Sequence, residues 1–332
     1  MAKGNFIEYV VSNNPNKYPN DGEQGGYYYE LISPLPFLSF IGNEDFTLET
    51  GGDWDGILEY STDTTTWNTW DGTTISSVGN KLYLRGIGNT TMNYNIFTFT
   101  GTDALKIVCK GNIENLLDYE TVSAGGHPTM SEYCFYGMFN DCTSLTTAPA
   151  LPATTLAEGC YQYMFSGCTS LTSAPALSAT TLAEGCYGYM FGGCTSLTSA
   201  PALPATTLAN MCYDNMFYNC TNLTTTPELP ATTLADYCYS SMFLDCTSLI
   251  TVPELPATTL ANGCYDSMFY GCTKIKLSTT KTGEYQTTYR IPKSGTGTTA
   301  TNALSDMFTK TGGTFTGTPE INTIYYTSNT VV

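Results

Sequence analysis

Twelve cysteines stand in two series that share one period. The first runs Cys134, Cys160, Cys186, Cys212, Cys238, Cys264 and the second Cys142, Cys168, Cys194, Cys220, Cys246, Cys272, each advancing by 26 residues. Met138, Met164, Met190, Met216, Met242 and Met268 keep the same step, each followed by Phe, and so do Leu145, Leu171, Leu197, Leu223 and Leu249. Units this short cannot bury their own apolar surface, so they must stack on one another. Only Cys109 lies outside the pattern.

One unit reads L-T-x-x-P-x-L-P-A-T-T-L-A-x-x-C-Y-x-x-M-F-x-x-C-T-S. Its opening part, such as "LTSAPAL" at 171–177, is short and β-compatible, which predicts a short strand. "TTLAEG" follows, with Thr155 three residues before Glu158 and Thr181 before Glu184, the pattern of a helix N-cap box. Asn210, Asp236 and Asn262 stand where the later units would close that box. Leu156, Cys160 and Met164 are spaced by four, as are Ala157, Tyr161 and Phe165, so the expectation is a helix with one broad buried face. Cys160, Met164, Phe165, Cys168 and Leu171 are the expected core of the unit, and the positions that vary between units fall on the other side.

The period lies within the 20–29 residues of leucine-rich repeats. The run "MFSGCTSLTSAPALSATTLAEGCYGYMFGGCTSL" resembles the BspA-like leucine-rich repeat, a type found in surface proteins of gut and oral bacteria and in some of their phages. The resemblance covers about residues 130–276. It implies an α/β leucine-rich-repeat solenoid with strands on one side and helices on the other.

The rest of the chain divides around this block. Residues 35–118 carry strand-like runs, "ILEYS", "KLYLRG", "NIFTFTG" and "ALKIVCKG", between Gly, Asn and Asp turns, and predict an all-β, Ig-like sandwich. "NIENLLDY", 112–119, reads as a short helix or connector into the solenoid of six units at 119–277. Residues 278–332 echo the repeat in "ALSDMFTK" without its cysteines and read as the C-terminal cap that such a stack needs. Residues 1–34 are polar and punctuated by Pro and Gly, an extended arm. "VVSNNPNKYPNDGEQGGYYYELI" resembles N-terminal segments of phage tail and other virion proteins, which implies an anchor to a larger assembly.

Charge narrows the partners. The net charge is −17, and between Lys110 and Lys274 there is no Lys or Arg against thirteen Asp and Glu. Phosphate backbones are repelled by such a surface, so nucleic acid is excluded as a partner of the repeats. No apolar run is long enough to span a bilayer, and the N-terminus has no secretory leader pattern, so membrane insertion is not expected. The span 111–273 also offers trypsin no cleavage site.

The thiols admit several chemistries. Zinc sites pair ligands two to four residues apart, whereas these cysteines sit eight apart and the chain holds one histidine. A helix of eight residues spans about 12 Å, too far for a disulfide within a unit. Activation of a nucleophile needs a cation or a His partner, and the repeats contain neither Lys nor Arg. Rows of buried free cysteine, packing as small hydrophobes, are the expectation. His127, in "GGHPTM", reads as a surface or turn residue. No metal or cofactor is called for.

Two groups of aromatics are candidates for ligand contact. Trp54, Trp67 and Trp70 fall close together beside Asp53, Asp55 and Asp71, as a sugar platform would, although sandwich core and hairpin edge is the favoured reading because large aromatics normally bury. "STDTTTW" resembles the Asp-box turn of sialidases with Thr65 in place of its glycine, which makes Asp63 a turn acceptor. Tyr163, Tyr189, Tyr218 and Tyr270 sit at variable positions of the repeat, where tyrosine serves adhesion well. No Gly-rich phosphate loop, HExxH or GxSxG is present. The expectation is a non-enzymatic structural and recognition protein: a phage virion fibre or appendage that is held to other virion proteins by its arm. It would attach to a host-surface glycan or protein, as a homo-oligomer of the trimeric kind common among such appendages. A bacterial cell-surface adhesin is the alternative, and a glycan-active enzyme on the β-sandwich a further one.

Overall fold

The computed structural model describes residues 35–332 apart from Asn93 and Asn95. The arm at 1–34 lies outside the described residues. Eight strands come first: β1 (Leu38–Gly42), β2 (Thr47–Glu49), β3 (Ile57–Ser61), β4 (Asn68–Trp70), β5 (Ile75–Ser76), β6 (Lys81–Ile87), β7 (Thr98–Thr100) and β8 (Ile107–Lys110). α1 (Asn115–Ser123) follows, interrupted at Asp118, whose φ of −153° and ψ of 96° are not helical. Then come β9 (Leu145–Thr147), β10 (Thr251–Val252), β11 (Leu277–Ser278), β12 (Thr287–Arg290), β13 (Ile324–Thr327) and β14 (Thr330–Val331).

Two sheets share the first core. One has the order β4-β3-β6-β1-β8-β9, the other β5-β2-β7. Strand β6 alternates in burial, with Leu82, Leu84 and Gly86 inward and Tyr83 and Arg85 outward, as a sheet with one covered face requires. Phe40 of the larger sheet meets Phe99 of the smaller at 5.2 Å between ring centres. The larger sheet does not stop at the first region. Its last strand, β9, belongs to the first repeat and pairs parallel with β8. α1 straddles the expected boundary at 118, and a Cβ at Gly86 would strike the Leu116 carbonyl, so α1 lies directly on β6.

The helix-containing α/β leucine-rich-repeat solenoid is not what the chain builds. Among the described residues α1 is the single helix, the chain is nearly all-β in several small sheets, and none of the sheets forms a solenoid. The segment expected to be helical is instead a run of turns. Gly159, Tyr163 and Gly167 have φ of 55°, 57° and 73°, and the equivalent residues of the later units do the same. A left-handed residue at every fourth position cannot occur in a right-handed helix. The hydrogen bonds alternate accordingly. N–H groups of Gln162, Met164 and Ser166 donate three residues back, to Gly159, Tyr161 and Tyr163. Those of Gly159, Tyr161, Tyr163, Phe165 and Gly167 donate to the carbonyls of Glu184, Cys186, Gly188, Met190 and Gly192 in the next unit. Half of the backbone donors thus join neighbouring units in register.

The expected N-caps are corrected with the helix: Thr155 forms a parallel bridge with Thr181, as Thr207 does with Thr233 and Thr259 with Thr298. The expected strand survives only as β9, β10 and, one period after β10, β11. Elsewhere it shrinks to single bridges, such as Leu151 with Leu177 and Ser199 with Thr225. Prolines such as Pro149, Pro201 and Pro204 lack the N–H that a continuous ladder needs.

Stacking in register aligns identical side chains. Phe139, Phe165, Phe191, Phe217, Phe243, Phe269 and Phe308 form one row of nearly parallel rings, with centres 5.5 Å apart at the start and 5.4 Å at the end. Tyr161, Tyr187, Tyr213, Tyr239 and Tyr265 form a second row, 5.6 Å apart at Tyr213–Tyr239. Each such pair contributes about 0.5–1.5 kcal/mol beyond area burial. Phe97 meets Phe139 edge-on at 5.7 Å and so ties the sheets to the row. At the far end Tyr265 and Phe269 donate to the carbonyls of Ala303 and Met307, and Asn302, Asp306 and Lys310 take up the left-handed positions of a further turn run. The sheet β11-β13-β12 and the parallel pair β10–β14 close this end.

Candidate functional site: the tyrosine ladder

The structure separates the tryptophans. Trp70 is 2 % exposed, donates its Nε1 to the Thr73 carbonyl at 2.7 Å, and stacks on Trp54 at 6.3 Å. Trp67 points to the opposite face of the sheet, where the Arg85 guanidinium lies 4.0 Å over its ring and 4.3 Å from the Tyr119 ring centre. Glu59 accepts from Arg85 Nε at 2.7 Å. Phe37 packs beside Trp67 at 5.7 Å. There is no shared platform of three indoles.

Asp63 and Asp71 hold turns, and Asp55 ties its loop to Thr90 and Thr91. Asp63 accepts from the N–H groups of Thr65 and Thr66 at 2.8 and 2.7 Å, and these bonds hold its carboxyl far below the usual range. The Thr73 hydroxyl and N–H lower Asp71 in the same way. Burial opposes ionisation of Asp55, but the hydroxyl and backbone of Thr90 and the N–H of Thr91 outweigh it, so this carboxyl is lowered too. Asp-box geometry at Asp63 is therefore a turn, with Ser61 as its further partner.

All thirteen cysteines are free and buried. Burial raises their thiols, those of Cys186 and Cys194 to about 12, which disfavours the thiolate that nucleophilic or metal chemistry needs. The second series has a structural task. Cys142, Cys168, Cys194, Cys220, Cys246 and Cys272 point Sγ at the carbonyls of Phe97, Phe139, Phe165, Phe191, Phe217 and Phe243, at 3.0–3.1 Å. Cys160, Met164, Phe165, Cys168 and Leu171 are all fully buried. Among the described residues no three His, Cys, Asp or Glu side chains are grouped to hold a metal.

His127 is not the isolated turn residue its sequence suggests. Its Nδ1 lies 2.9 Å from Oε2 and 3.1 Å from Oε1 of Glu114, whose side chain is completely buried. Asn112 Nδ2 supports the same carboxylate at 3.3 Å. No sequence spacing announces this pair, because Glu114 opens α1 and His127 lies in the loop after it.

The repeat tyrosines come together more fully than their spacing implies. Tyr163 and Tyr189 stack at 4.8 Å and 11°, and Tyr218 meets Tyr189 edge-on at 6.5 Å. The row extends the other way through Tyr136, 5.5 Å from Tyr163, to Tyr94 at 5.1 Å from Tyr136, with Tyr133 alongside at 6.1 Å. Tyr136 and Tyr133 could have been found by subtracting one period from Gln162 and Gly159; Tyr94 comes from the sheet region and has no such signal. Tyr270 stands apart, with Lys310 Nζ 4.7 Å over its ring. Tyr94 is 59 % exposed and Tyr218 37 %, whereas Tyr163 and Tyr189 are half-buried by each other. The ladder is therefore more covered in its middle and more exposed at its two ends.

No family model, curated protein or solved structure matches this chain. No helix among the described residues is long and apolar enough to cross a membrane.

Proposed function

We propose that this chain is a non-enzymatic structural and recognition protein that attaches to a host-cell surface glycan or protein, and that its tyrosine ladder is the attachment face. The observation that carries this reading is the continuous row Tyr94–Tyr136–Tyr163–Tyr189–Tyr218, which crosses from the sheet region onto four successive repeats. Tyrosine supplies large contact area with few rotatable bonds and a polar tip, which suits recognition. The titratable cysteines are buried in their protonated form, and Asp63 and Asp71 hold turns while Asp55 ties its loop, so the groups best placed to meet a ligand are phenols. The setting we propose is a virion appendage, on the resemblance of the N-terminal segment to virion anchors. Binding of labelled protein to whole bacterial cells tests the reading. Tyr163→Ser with Tyr189→Ser is expected to abolish binding while thermal unfolding stays cooperative, and undiminished binding would remove the ladder from the proposal.

A further inference from the structure

The ladder face carries a shallow cavity of about 130 Å³ beside the tyrosines. Gly159 and Gly185 line it together with Tyr133, Met211 and the carboxylates Glu158, Glu184 and Asp214. Gly185 leaves it open: a Cβ there would meet nothing nearer than Gln162 at 3.9 Å. Burial raises the Asp214 carboxyl and the charge of Asp266 adds to the effect, so a cation arriving here relieves an existing cost.

Sugar stacking needs open ring faces. In the middle of the ladder Tyr163 and Tyr189 cover each other at 4.8 Å, and its more exposed members are Tyr94 and Tyr218 at the two ends. Residues 111–273 supply no Lys or Arg to this surface.

The chain itself demonstrates what such a tyrosine takes. Tyr270 occupies the position of Tyr218 two units later, and there Lys310 sits 4.7 Å over the ring. On the sheet, Arg85 lies between Trp67 and Tyr119 with Glu59 as its anion. Where the chain brings a cation to a partly buried aromatic, it lies over the ring; the ladder has the rings and the anions, and residues 111–273 bring it no cation.

We propose that the ladder face, from Tyr94 to Tyr218, docks a basic segment of a partner protein, with an arginine or lysine side chain seated between Tyr133 and Met211 against Glu184 and Asp214. This rests on the ladder being the attachment face and narrows its ligand from glycan or protein to a cationic polypeptide. A guanidinium stacks on a phenol ring and pairs with carboxylates through different parts of its surface, and charge complementarity accelerates encounter and sets register.

The test is fluorescence anisotropy of a labelled arginine–glycine peptide against the full chain at physiological salt. Glu184→Gln with Asp214→Asn, and separately Tyr218→Ser, are expected to weaken binding by at least about tenfold, whereas Glu228→Gln with Glu320→Gln, which removes the same charge elsewhere, changes it by less than about twofold. Equal loss in both double variants means bulk attraction and overturns the proposal, as does displacement of the peptide by a neutral cello-oligosaccharide. Whole-cell binding separates the two readings. Cells that bind wild type and the Glu184/Asp214 variant equally leave the attachment face standing and overturn the basic partner; peptide binding with the expected variant pattern, without any cell binding, supports the basic partner and overturns host attachment.

Discussion

The thiol of Cys168 donates to the carbonyl oxygen of Phe139 at 3.0 Å, joining two residues 29 apart in sequence and one unit apart in the stack. The carbonyl lies in a fully buried row, where a lost donor costs more than a weak bond contributes. Cysteine is small enough for the row and still has a hydrogen to give.

The first cysteine series makes such contacts only at longer range, 3.4 Å from Cys134 to the Thr90 carbonyl and 3.8 Å from Cys264 to that of Ala303, which allows a matched comparison. Cys220 Sγ is 3.1 Å from the Phe191 carbonyl, whereas Cys212 Sγ is 4.0 Å from that of Cys238. Both are fully buried, so alanine removes the same atoms from each. Cys220→Ala is expected to be less stable than Cys212→Ala by about 0.5–1.5 kcal/mol. Urea denaturation of the two variants measures the difference, and equal midpoints would show that the sulfur hydrogen bond contributes nothing.

Alkali should unfold this protein. Burial raises the thiols of Cys134, Cys142, Cys186, Cys194, Cys238, Cys246 and Cys264 from 9.0 to about 12. The folded state keeps these protons while the unfolded chain releases them, so stability is full below pH 9 and declines as pH rises towards 12. Each thiol adds a slope of about 1.4 kcal/mol per pH unit in that window. Denaturation midpoints should be flat between pH 7 and pH 8.5 and fall steeply above, and native thiols should resist a thiol reagent at pH 8 until denaturant is added.

The left-handed turns make a further comparison. Gly159 and Gly185 both have positive φ, 55° and 58°, but a Cβ at Gly159 would strike the Tyr133 ring while one at Gly185 meets open space. Gly185→Ala should cost about 1 kcal/mol, the conformational penalty alone. Gly159→Ala should cost more and should displace Tyr133, which near-ultraviolet circular dichroism detects. The same penalty at both positions would mean that the Tyr133 ring yields freely.

These glycines also explain what the sequence conceals. Leu156, Cys160 and Met164 recur every four residues, and over three turns a coil of 4.0 residues is indistinguishable from a helix of 3.6 by its apolar positions. The period, the burial of Cys160, Met164, Phe165 and Leu171 and the rows of thiol were legible, because stacking follows from repetition alone. The decisive residues were the glycines at 159, 167, 185 and 193, at multiples of four from one another within each unit, where a helix has no use for them. At the intermediate positions Tyr163 and Tyr189 accept left-handed φ themselves, so the pattern is masked where the ladder stands. Arg85 between Trp67 and Tyr119, and Tyr94 beside Tyr136, depend on how sheets and repeats meet and left no local trace.

The last prediction concerns the junction between those two parts. Glu114 is completely buried at the start of α1, and His127 Nδ1 at 2.9 Å is its nearest partner. Removing the imidazole would leave a buried carboxylate supported by Asn112 Nδ2 at 3.3 Å. His127→Ala is therefore expected to cost about 3 kcal/mol, near the low end for a broken buried pair because the imidazole is half-exposed. Adding Glu114→Gln removes the uncompensated charge and should restore much of the loss. A double-mutant cycle by thermal unfolding measures the coupling. If both single variants and the double variant lose the same stability, the cycle still reports coupling, but neutralising Glu114 restores nothing. The pair then acts as packing, and the charge of Glu114 plays no part in holding the loop at 124–131 against the first repeat.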